Sequence, residues 1–527
     1  MSFVLADIFG DGAVLQRDKT IFVHGTCDKV EGEIVARILD SKKKVVATSV
    51  KTKMEEVEDK DAPRRFLIEF EAQKAGGPYT LEVSDKGCTV SIKKVYIGEV
   101  WVAGGQSNME MPLQKTEGAQ EELEAAEYDG KIHYYCVHCP GEAGSQADFK
   151  WTSVDVSCAK NMSAIGYYFM KRIREEIKDC HVAIIGCFSG GTSVSSWQSV
   201  ESLEKTKEGK KMLAEFEENC AGISDKDFEV LDKEYRQAKA KWIKDYDEYA
   251  LKYPNLAQDD IQKYVGECPW PPPYGKKSYR RPGGLYEDML LKFAPYGVKG
   301  VIFYQGEEDA NEHADHYGDV FKTMIEEWRN SFLDEELPFI YAQLPMYIDH
   351  DRKFMGFEDY KWPKLRQEQL RVSQEVENTW IAILTDCGEF DNLHPIDKKT
   401  PANRLALLAL HYVYGKTNIK AMSPRPIDIR NSGVGAVEIS FAGDFNMLLF
   451  KGFEESGFQM CGPDGEYIDC NASIDMDGKS VSLYSPTILQ PYKVRYAWFS
   501  YGKANLVTET GLAIMPFEMS VVKSLGS

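Results

Sequence analysis

Three things are scarce in this 527-residue sequence: long apolar runs, basic residues and cysteine. No apolar run approaches the ~20 residues that a helix needs to cross a bilayer, which excludes a membrane-spanning protein. Lysine and arginine number 63 against 83 aspartates and glutamates, so the net charge is −20. Such an acidic surface repels phosphate backbones and anionic lipids, and we expect neither nucleic-acid nor membrane-surface partners. Twelve cysteines are too few for a disulfide scaffold in a chain of this length.

The first residues also lack the pattern of a secretory signal, because no basic segment precedes their short apolar stretch. We therefore expect a cytoplasmic protein with reduced thiols. One CxxC pair, Cys136 and Cys139, lies close to His133 and His138 and resembles half of a zinc site. No second Cys/His pair follows at a usable spacing, so we interpret residues 132–137 as a strand and expect no metal.

The length predicts about three domains. Residues 1–95 contain short runs of partly alternating apolar residues separated by glycine and aspartate, which is typical of a small antiparallel sandwich. Residues 96–420 alternate between strand-like and helical segments, and residues 421–527 return to short strands with turn residues. The sequence thus predicts an α/β domain between an N-terminal and a C-terminal β-rich domain.

The α/β region predicts a parallel sheet. Strand-like runs occur at residues 100–103, 182–185, 301–304, 339–341 and 380–384, and helical candidates at residues 163–178, 313–332, 363–378 and 401–414. Strands that alternate with helices form parallel sheets covered on both faces, and ligands bind beyond the carboxyl ends of the strands. We therefore expect functional residues directly after these runs.

Residues 201–285 interrupt the alternation. Apolar and aromatic residues recur there at steps of three and four along one face of a long helix, at positions 231, 235, 238, 242, 246, 249 and 253. Ser224 and Asp227 resemble a capping box at the start of that helix. We interpret the aromatic stripe as a packing face rather than a sugar platform. The proline-rich segment at residues 268–275 predicts a stiff, extended loop.

Four polar motifs follow the strand-like runs: GGQSNM at 104–109, FSGGT at 188–192, YQGEED at 304–309 and DNLHP at 391–395. A serine hydroxyl becomes a nucleophile only when a base removes its proton, and His394 with Asp391 before it is the best-placed base for Ser107. Paired glycines let the backbone approach a ligand and donate N–H groups. The G-x-S-x-G turn of α/β-hydrolases is absent, which argues against that fold.

In this order, the four motifs resemble those of the sialate O-acetylesterase family, which belongs to the SGNH/GDSL hydrolases and has plant and bacterial carbohydrate acetylesterases among its relatives. Further segments, such as AVLQR at 13–17, RPGGLY at 281–286 and VRYAW at 494–498, extend the resemblance over nearly the whole chain. The resemblance implies an SGNH-type three-layer α/β/α hydrolase core, flanked by the two β-rich domains and without metal or organic cofactor.

The resemblance also implies roles for individual residues. Ser107 would be the nucleophile, His394 the general base, and Asp391 the group that holds the imidazole tautomer. The oxyanion hole would combine the N–H of Ser107, a backbone N–H at Gly190 or Gly191, and the side chain of Gln305, which can donate where an ionised carboxylate cannot. We expect substrate contacts from Gln106, Asn108, Glu307, Trp270 and Arg281.

Two departures from the family's pattern concern the second and third motifs. Glu308 and Asp309 stand where many relatives have Ser and Asn, so we prefer Gln305 as the oxyanion donor. Phe188 and Ser189 stand where relatives often have Ser and Trp, which would alter the pocket wall and the sugar preference.

The predicted function is a serine carbohydrate O-acetylesterase that acts through an acetyl-enzyme. O-acetylated sialic acid and O-acetylated xylo- or other plant oligosaccharides compete as substrates, and Arg280 or Arg281 would meet the carboxylate of a sialic acid. Trp270 and Tyr274 are candidates for stacking on sugar rings. Two other hypotheses stay open: a catalytically silent carbohydrate-binding protein, and an esterase or transacylase for lipid or peptide acyl groups. The sequence leaves open whether the chain forms a homo-oligomer.

Overall fold

The structure is a computed structural model of the chain and describes residues 3–27, 33–55, 64–139, 150–253, 256, 258–349, 358–452 and 457–521. The strands up to the middle of the chain are β1 (Phe3–Leu5), β2 (Val14–Gln16), β3 (Ile21–Cys27), β4 (Val35–Leu39), β5 (Val45–Thr48), β6 (Lys51–Met54), β7 (Arg64–Phe70), β8 (Gly76–Ser84), β9 (Thr89–Gly105), β10 (Ile132–Cys136), β11 (Thr152–Ser153), β12 (Val182–Phe188), β13 (Gly300–Tyr304), β14 (Phe339–Ala342) and β15 (Thr379–Ala382). The C-terminal strands are β16 (Arg425–Gly433), β17 (Ala436–Ala442), β18 (Leu448–Phe450), β19 (Phe458–Cys461), β20 (Tyr467–Asp469), β21 (Asn471–Ile474), β22 (Ser480–Tyr484), β23 (Lys493–Tyr496), β24 (Leu506–Thr508) and β25 (Phe517–Ser520).

The helices are α1 (Ser107–Glu110), α2 (Ala119–Ala125), α3 (Val156–Ala159), α4 (Ala164–Glu176), α5 (Val200–Leu203), α6 (Lys207–Asn219), α7 (Asp225–Lys252), α8 (Gln258–Val265), α9 (Leu291–Phe293), α10 (Tyr317–Ser331), α11 (Lys361–Glu375) and α12 (Lys399–Leu408). Short 3-10 or π turns occur at Leu113–Lys115, Val194–Trp197, Tyr286–Leu290, Glu307–Asp309, Ala314–His316 and Ala409–Val413. The helical candidates of the α/β region correspond to α4, α10, α11 and α12.

A large mixed sheet of eleven strands follows the order β11-β10-β12-β9-β13-β14-β15, with β2 and β8 also paired to β9 and with β4 and β5 beyond β8. All five strand-like runs predicted for the α/β region fall in this sheet, as β9, β12, β13, β14 and β15. Strands β12 and β13 are buried at every position, as central strands are when both faces of a sheet are covered. The α/β fold class is therefore confirmed.

Strand β9 crosses the predicted domain boundary at residue 95. Its first part pairs with β8 in antiparallel fashion, and its last part, from Glu99 to Gly105, pairs in parallel with β12. One continuous strand thus belongs both to the N-terminal β-rich region and to the α/β region. The domain boundaries at 95 and 420 stay predictions.

The chain divides into two compact units. The first comprises Met1–Pro254, Gln262–Phe303 and Val320–Phe339, and the second Asn255–Ile261, Tyr304–Asp319 and Ile340–Ser527. The first unit also contains the antiparallel sheet β1-β3-β7-β6, in which the alternating burial of β3 matches the predicted two-residue period. The C-terminal part of the second unit forms small antiparallel sheets, β16-β17-β22-β21, β18-β24 and β20-β19-β23-β25, around one apolar core.

Helix α7 begins with the predicted capping box of Ser224 and Asp227. The aromatic stripe packs on neighbouring residues, since Trp242 stacks on Tyr246, Tyr249 stacks on Tyr264, and Trp242 Nε1 donates to the carbonyl of Gly266. This packing is incomplete, because Trp242, Tyr246 and Tyr249 are only half-buried.

The predicted strand at residues 132–137 is present as β10, where His133 Nε2 lies 2.7 Å from His181 Nδ1. Among the described residues, no three His, Cys, Asp or Glu side chains are grouped so that they could hold a metal ion. All twelve cysteines fall within the described ranges, and none of them forms a disulfide there. No helix in the part of the chain that the structure describes has the length and apolarity to span a bilayer.

Candidate active site

The first two motifs meet at the carboxyl ends of two paired strands in the first unit. The parallel register places Gly105 of β9 opposite Phe188 of β12, and the N–H of Ser189 donates to the carbonyl oxygen of Gly105 at 3.1 Å. A Cβ built on Gly190 would lie 3.4 Å from the Cβ of Ser107. The sequence-based expectation that these motifs share one sheet edge is confirmed.

Ser107 is the first residue of helix α1 and is half-buried. The first N–H groups of a helix have no acceptor within the helix, which directs them towards a ligand or a cap. Gln106 and Asn108, which flank Ser107, are both buried. The N–H groups of Met109 and Glu110 bond to the carbonyl oxygen of Gln106 and tighten the turn. This turn allows little freedom to the serine backbone.

Gly191 has a left-handed backbone, with φ +60°, and the indole of Trp270 covers it. A Cβ at this position would lie 2.0 Å from the Trp270 ring, so only glycine fits beneath the indole. The Arg280 guanidinium stacks on the same indole at 4.4 Å from the ring centre. Because Gly190 touches Ser107, the structure brings Trp270 close to the candidate nucleophile.

Arg281 lies next to Arg280 but has different partners. Its guanidinium pairs with Glu287 at 2.5 Å and with Asp288 at 3.1 Å. Two carboxylates thus already balance its charge, which argues against Arg281 as the cation for an acidic sugar. Tyr274 is partly exposed, and its ring centre lies 6.4 Å from that of Phe216.

The third motif places Gln305 in a buried hydrogen-bond network of the second unit. Its side-chain amide donates to Asp309 at 2.5 Å, and its side-chain oxygen accepts from the hydroxyl of Tyr317 at 2.7 Å. The Gln369 amide donates to the Gln305 carbonyl at 3.0 Å. A carboxylate can only accept here, so Asp309 fixes the direction of the Gln305 NH₂ group. The departure from the family's Asn thus has a structural role.

The fourth motif lies in the loop between β15 and α12. Asp391 has a left-handed backbone, with φ +58°, a conformation that aspartate tolerates better than most residues. The N–H of His394 donates to the Asn392 side chain at 3.0 Å, and Asn392 in turn donates to Glu389 at 2.7 Å. The other oxygen of Glu389 accepts from the N–H of Ile396 at 2.7 Å. The Glu389 carboxylate therefore binds both Asn392 and Ile396, which lie on either side of His394.

Two charged groups at this loop were not found from the sequence. Lys398 is buried and donates to the carbonyl of Pro395. Burial lowers the pKa of Lys398 to about 8, against the opposing charges of Glu307 and Glu389. Glu307 of the third motif is thus a neighbour of the fourth motif. No sequence pattern distinguishes Lys398 from the exposed Lys399 beside it, so this group could not have been predicted.

The second missed group is the ion pair of Asp386 and Arg404. Arg404 binds both carboxylate oxygens, at 2.6 and 2.8 Å, and also donates to the carbonyls of Ile383 and Gly511. Burial raises the pKa of Asp386, but the hydrogen bonds and charge of Arg404 outweigh it and lower the pKa below its usual value. The same part of the chain, from Thr385 to Gly388, lines a cavity of about 520 Å³ together with Lys451 and residues 501–505.

The chain is similar to known carbohydrate esterases in sequence and in fold. The family model described as "Carbohydrate esterase, sialic acid-specific acetylesterase" matches residues 275–403, which include the third and fourth motifs. The chain is similar to the sialate O-acetylesterases of mouse and human, with 23% and 22% identity over 70% and 68% of its length. The matches cover 66% of the mouse protein and 63% of the human protein, so the chain spans slightly less than two thirds of their length.

The fold is similar to the crystal structure of a carbohydrate acetylesterase from Xanthomonas citri, with a TM-score of 0.72 and 26% sequence identity. That similarity covers 98% of this chain and 99% of the bacterial one, including the β-rich flanking regions. The chain is therefore similar to the sialate O-acetylesterases in sequence and to a carbohydrate acetylesterase in fold.

Proposed function

We propose that the protein is a serine carbohydrate O-acetylesterase with an SGNH-type catalytic core. The observation that carries the proposal is the position of Gly190 beside Ser107, where an added Cβ would lie 3.4 Å from the Ser107 Cβ, with the Trp270 indole against Gly191. A nucleophile and oriented backbone donors are what attack on an ester carbonyl requires. The similarity to carbohydrate esterases supports the same reaction class, hydrolysis of carboxylic esters of carbohydrates.

In the proposed mechanism, His394 removes the proton of the Ser107 hydroxyl as its oxygen attacks the acetyl carbonyl. Asp391 holds the imidazole in the required tautomer and stabilises its cation. The tetrahedral intermediate collapses to an acetyl-enzyme, and the sugar oxygen leaves with the proton from His394. Water, deprotonated by the same imidazole, then releases acetate and restores Ser107.

The negative oxygen of the intermediate needs donors that are already oriented. We assign the N–H groups of Ser107 and of Gly190 or Gly191 together with the amide of Gln305. Asp309 and Tyr317 fix the orientation of the Gln305 amide, which supports this role because an amide that is already oriented requires no reorganisation during the reaction.

For the substrate we propose an O-acetylated saccharide without a requirement for a carboxylate. The relatives named sialate O-acetylesterase point to acetylated sialic acid, whereas the structural relative is named more broadly as a carbohydrate acetylesterase. The ion pairs of Arg281 with Glu287 and Asp288 favour the broader class, since they use the charge that a sialate carboxylate would need.

Acetate release tests the proposal with 9-O-acetylated sialic acid and acetylated xylo-oligosaccharides, measured side by side. Ser107→Ala should lower kcat by about 10⁴-fold or more on the preferred substrate, the size seen when a triad serine is removed. Ser157→Ala, which removes an exposed hydroxyl from α3, serves as the matched control and should keep full activity.

A fluorophosphonate should label the wild-type protein and the Ser157→Ala control but not Ser107→Ala. Absence of both labelling and acetate release in a folded wild-type protein would contradict the proposal and favour a silent carbohydrate-binding protein. Labelling without release from either sugar would favour a different acyl donor.

A further inference from the structure

A line of aromatic side chains runs from the candidate nucleophile along helix α7. Five rings form this aromatic track: Trp270, Trp242, Tyr246, Tyr249 and Tyr264. Trp242 and Tyr246 are stacked with ring centres 4.9 Å apart, and Tyr249 and Tyr264 are stacked at 5.0 Å. Trp242, Tyr246 and Tyr249 are half-buried, whereas Trp270 remains 48% exposed and Tyr264 69% exposed. The two rings that flank helix α7 therefore keep accessible surface that packing alone would have covered.

The track begins at the site. Trp270 covers Gly191, and Gly190 before it contacts Ser107. The ammonium group of Lys239 lies between the two indoles, 5.8 Å from the centre of the Trp270 ring and 5.3 Å from that of Trp242. The Lys239 ammonium group thus lies close to both Trp270 and Trp242, which is the first ring of the track on helix α7.

Hydrogen bonds fix the track in place. Trp242 Nε1 donates to the Gly266 carbonyl at 2.7 Å, and Lys239 Nζ lies 2.6 Å from the Cys268 sulfur. The N–H of Cys268 donates to the Gln262 side chain at 3.1 Å. Because the loop after α8 is bound to α7 in this way, the rings are held in position before any ligand arrives, which lowers the entropy cost of binding.

We propose that the aromatic track binds the sugar residues of an oligosaccharide whose acetylated residue lies at Ser107. The inference rests on the proposed function and narrows its substrate class to chains rather than single sugars. Aromatic faces are suited to the apolar faces of sugar rings, and the helix rise of about 1.5 Å per residue gives a span of about 10 Å between Trp242 and Tyr249.

A second copy of this chain is the competing occupant of such a surface. Charged pairs on α7 argue against it: Lys241 with Asp245, and Lys115 with Asp247. The centres of protein interfaces are depleted of charged residues. Polar groups beside exposed rings are instead suited to the hydroxyl-rich rim of a saccharide.

The experiment compares kcat/KM for an acetylated xylo-oligosaccharide with that for the acetylated monosaccharide. Tyr264→Ala should lower the oligosaccharide value by about two- to tenfold, the size of one lost ring contact, and leave the monosaccharide value unchanged. Tyr264→Phe keeps the ring and should restore the oligosaccharide value. Tyr484→Ala, which removes an exposed tyrosine from β22, is the matched control.

Equal kcat/KM values for the two substrates in the wild type would overturn the inference. So would a change from dimer to monomer on Tyr264→Ala in light scattering, which would show a subunit contact instead. If the wild type releases no acetate from any sugar, the proposed function fails. Titration with the deacetylated xylo-oligosaccharide then decides the inference separately: weaker binding by Tyr264→Ala supports it, and no binding by the wild type overturns it.

Discussion

The strand-borne motifs of the first unit and the loop-borne motif of the second are held by different forces. Ser107 and Gly190 follow two paired strands, and backbone hydrogen bonds with close steric contacts fix them. Asp391 and His394 lie in a loop whose shape depends on the Glu389 carboxylate and on buried charges.

This difference determines which substitutions can disrupt the strand-borne motifs and which can disrupt the loop-borne motif. A backbone ladder has many equivalent hydrogen bonds, so one substituted side chain rarely removes it. A loop held by a few polar side chains loses its geometry when one partner is removed, because the remaining group is left buried and unpaired. Substitutions of buried charges near the loop should therefore have larger effects than substitutions at the strand ends.

The largest expected effect comes from Arg404→Met. The side chains of Arg404 and Asp386 are 6% and 3% exposed, so the substitution leaves a carboxylate buried without its guanidinium. Breaking a buried pair in this way costs about 3–5 kcal/mol of the free energy of unfolding. Urea unfolding measures that loss, and acetate release should fall with it because Asp386 belongs to the segment leading to Asp391.

Arg430→Met is the matched control. Arg430 on β16 pairs with Glu438 on β17 at 2.5 Å, and the Arg430 side chain is 56% exposed. Its removal should therefore change the free energy of unfolding little. The double variant Asp386→Leu with Arg404→Met should recover most of the lost stability, because it leaves no buried unpaired charge. Lys451, which also pairs with Asp386 at 3.3 Å, is exposed. Equal losses for the Arg404 and Arg430 variants would refute the distinction between a buried and an exposed pair.

Lys398 gives the next largest effect, and it depends on pH. Its pKa of about 8 in the folded protein lies below the ordinary value of 10.5, so between these pH values the unfolded chain binds the extra proton. The contribution of Lys398 to the free energy of unfolding therefore rises with pH over that range. Lys398→Met should remove this rise. The free energy of unfolding of the variant minus that of the wild type should therefore be about 3 kcal/mol higher at pH 7 than at pH 10.5.

Unfolding in urea at pH 7 and pH 10.5 checks this prediction. Lys399→Met removes the exposed lysine next in the sequence and should show no comparable pH-dependent difference. A Lys398→Met difference that stays constant with pH would contradict the lowered pKa of the buried Lys398.

The same contrast explains what could be predicted from the sequence. Runs such as residues 182–185 are apolar throughout, and that pattern reports burial on both faces, so β12 and the glycine turn after it were predictable. The loop that carries His394 has no periodicity, and its structure depends on which distant side chains reach it. No sequence pattern near these residues indicates the hydrogen bond between Glu389 and Asn392 or the burial of Lys398.

The aromatic stripe of α7 was predicted as a packing face, and the structure buries it only in part. Periodicity shows that residues such as Trp242 and Tyr246 share a face, but it cannot show how much surface lies opposite. The short helix α8 and the loop after it cover that face only in part. The contact of Trp270 with Gly191 joins residues 79 positions apart, which pattern alone does not reveal.

The smallest expected effect tests the strand-borne part through Gly191→Ala. An alanine with φ near +60° costs about 1–2 kcal/mol, and its Cβ would displace the Trp270 ring, which now lies 2.0 Å from that position. We expect kcat/KM to fall about tenfold, since the N–H at 191 and the indole both shift.

A double-mutant cycle separates the two causes. Without the Trp270 ring, the Cβ of an alanine at position 191 meets no indole. In a Trp270→Ala background, Gly191→Ala should therefore cost only the free energy of placing alanine in the left-handed conformation. Gly222→Ala is the matched control, because Gly222 has a φ of +80° with nothing within 4 Å of its added Cβ. It should lower stability by the backbone term alone, about 1–2 kcal/mol, and leave kcat/KM unchanged. Additive effects of the Gly191 and Trp270 substitutions would mean that steric contact does not hold the strand ends in place.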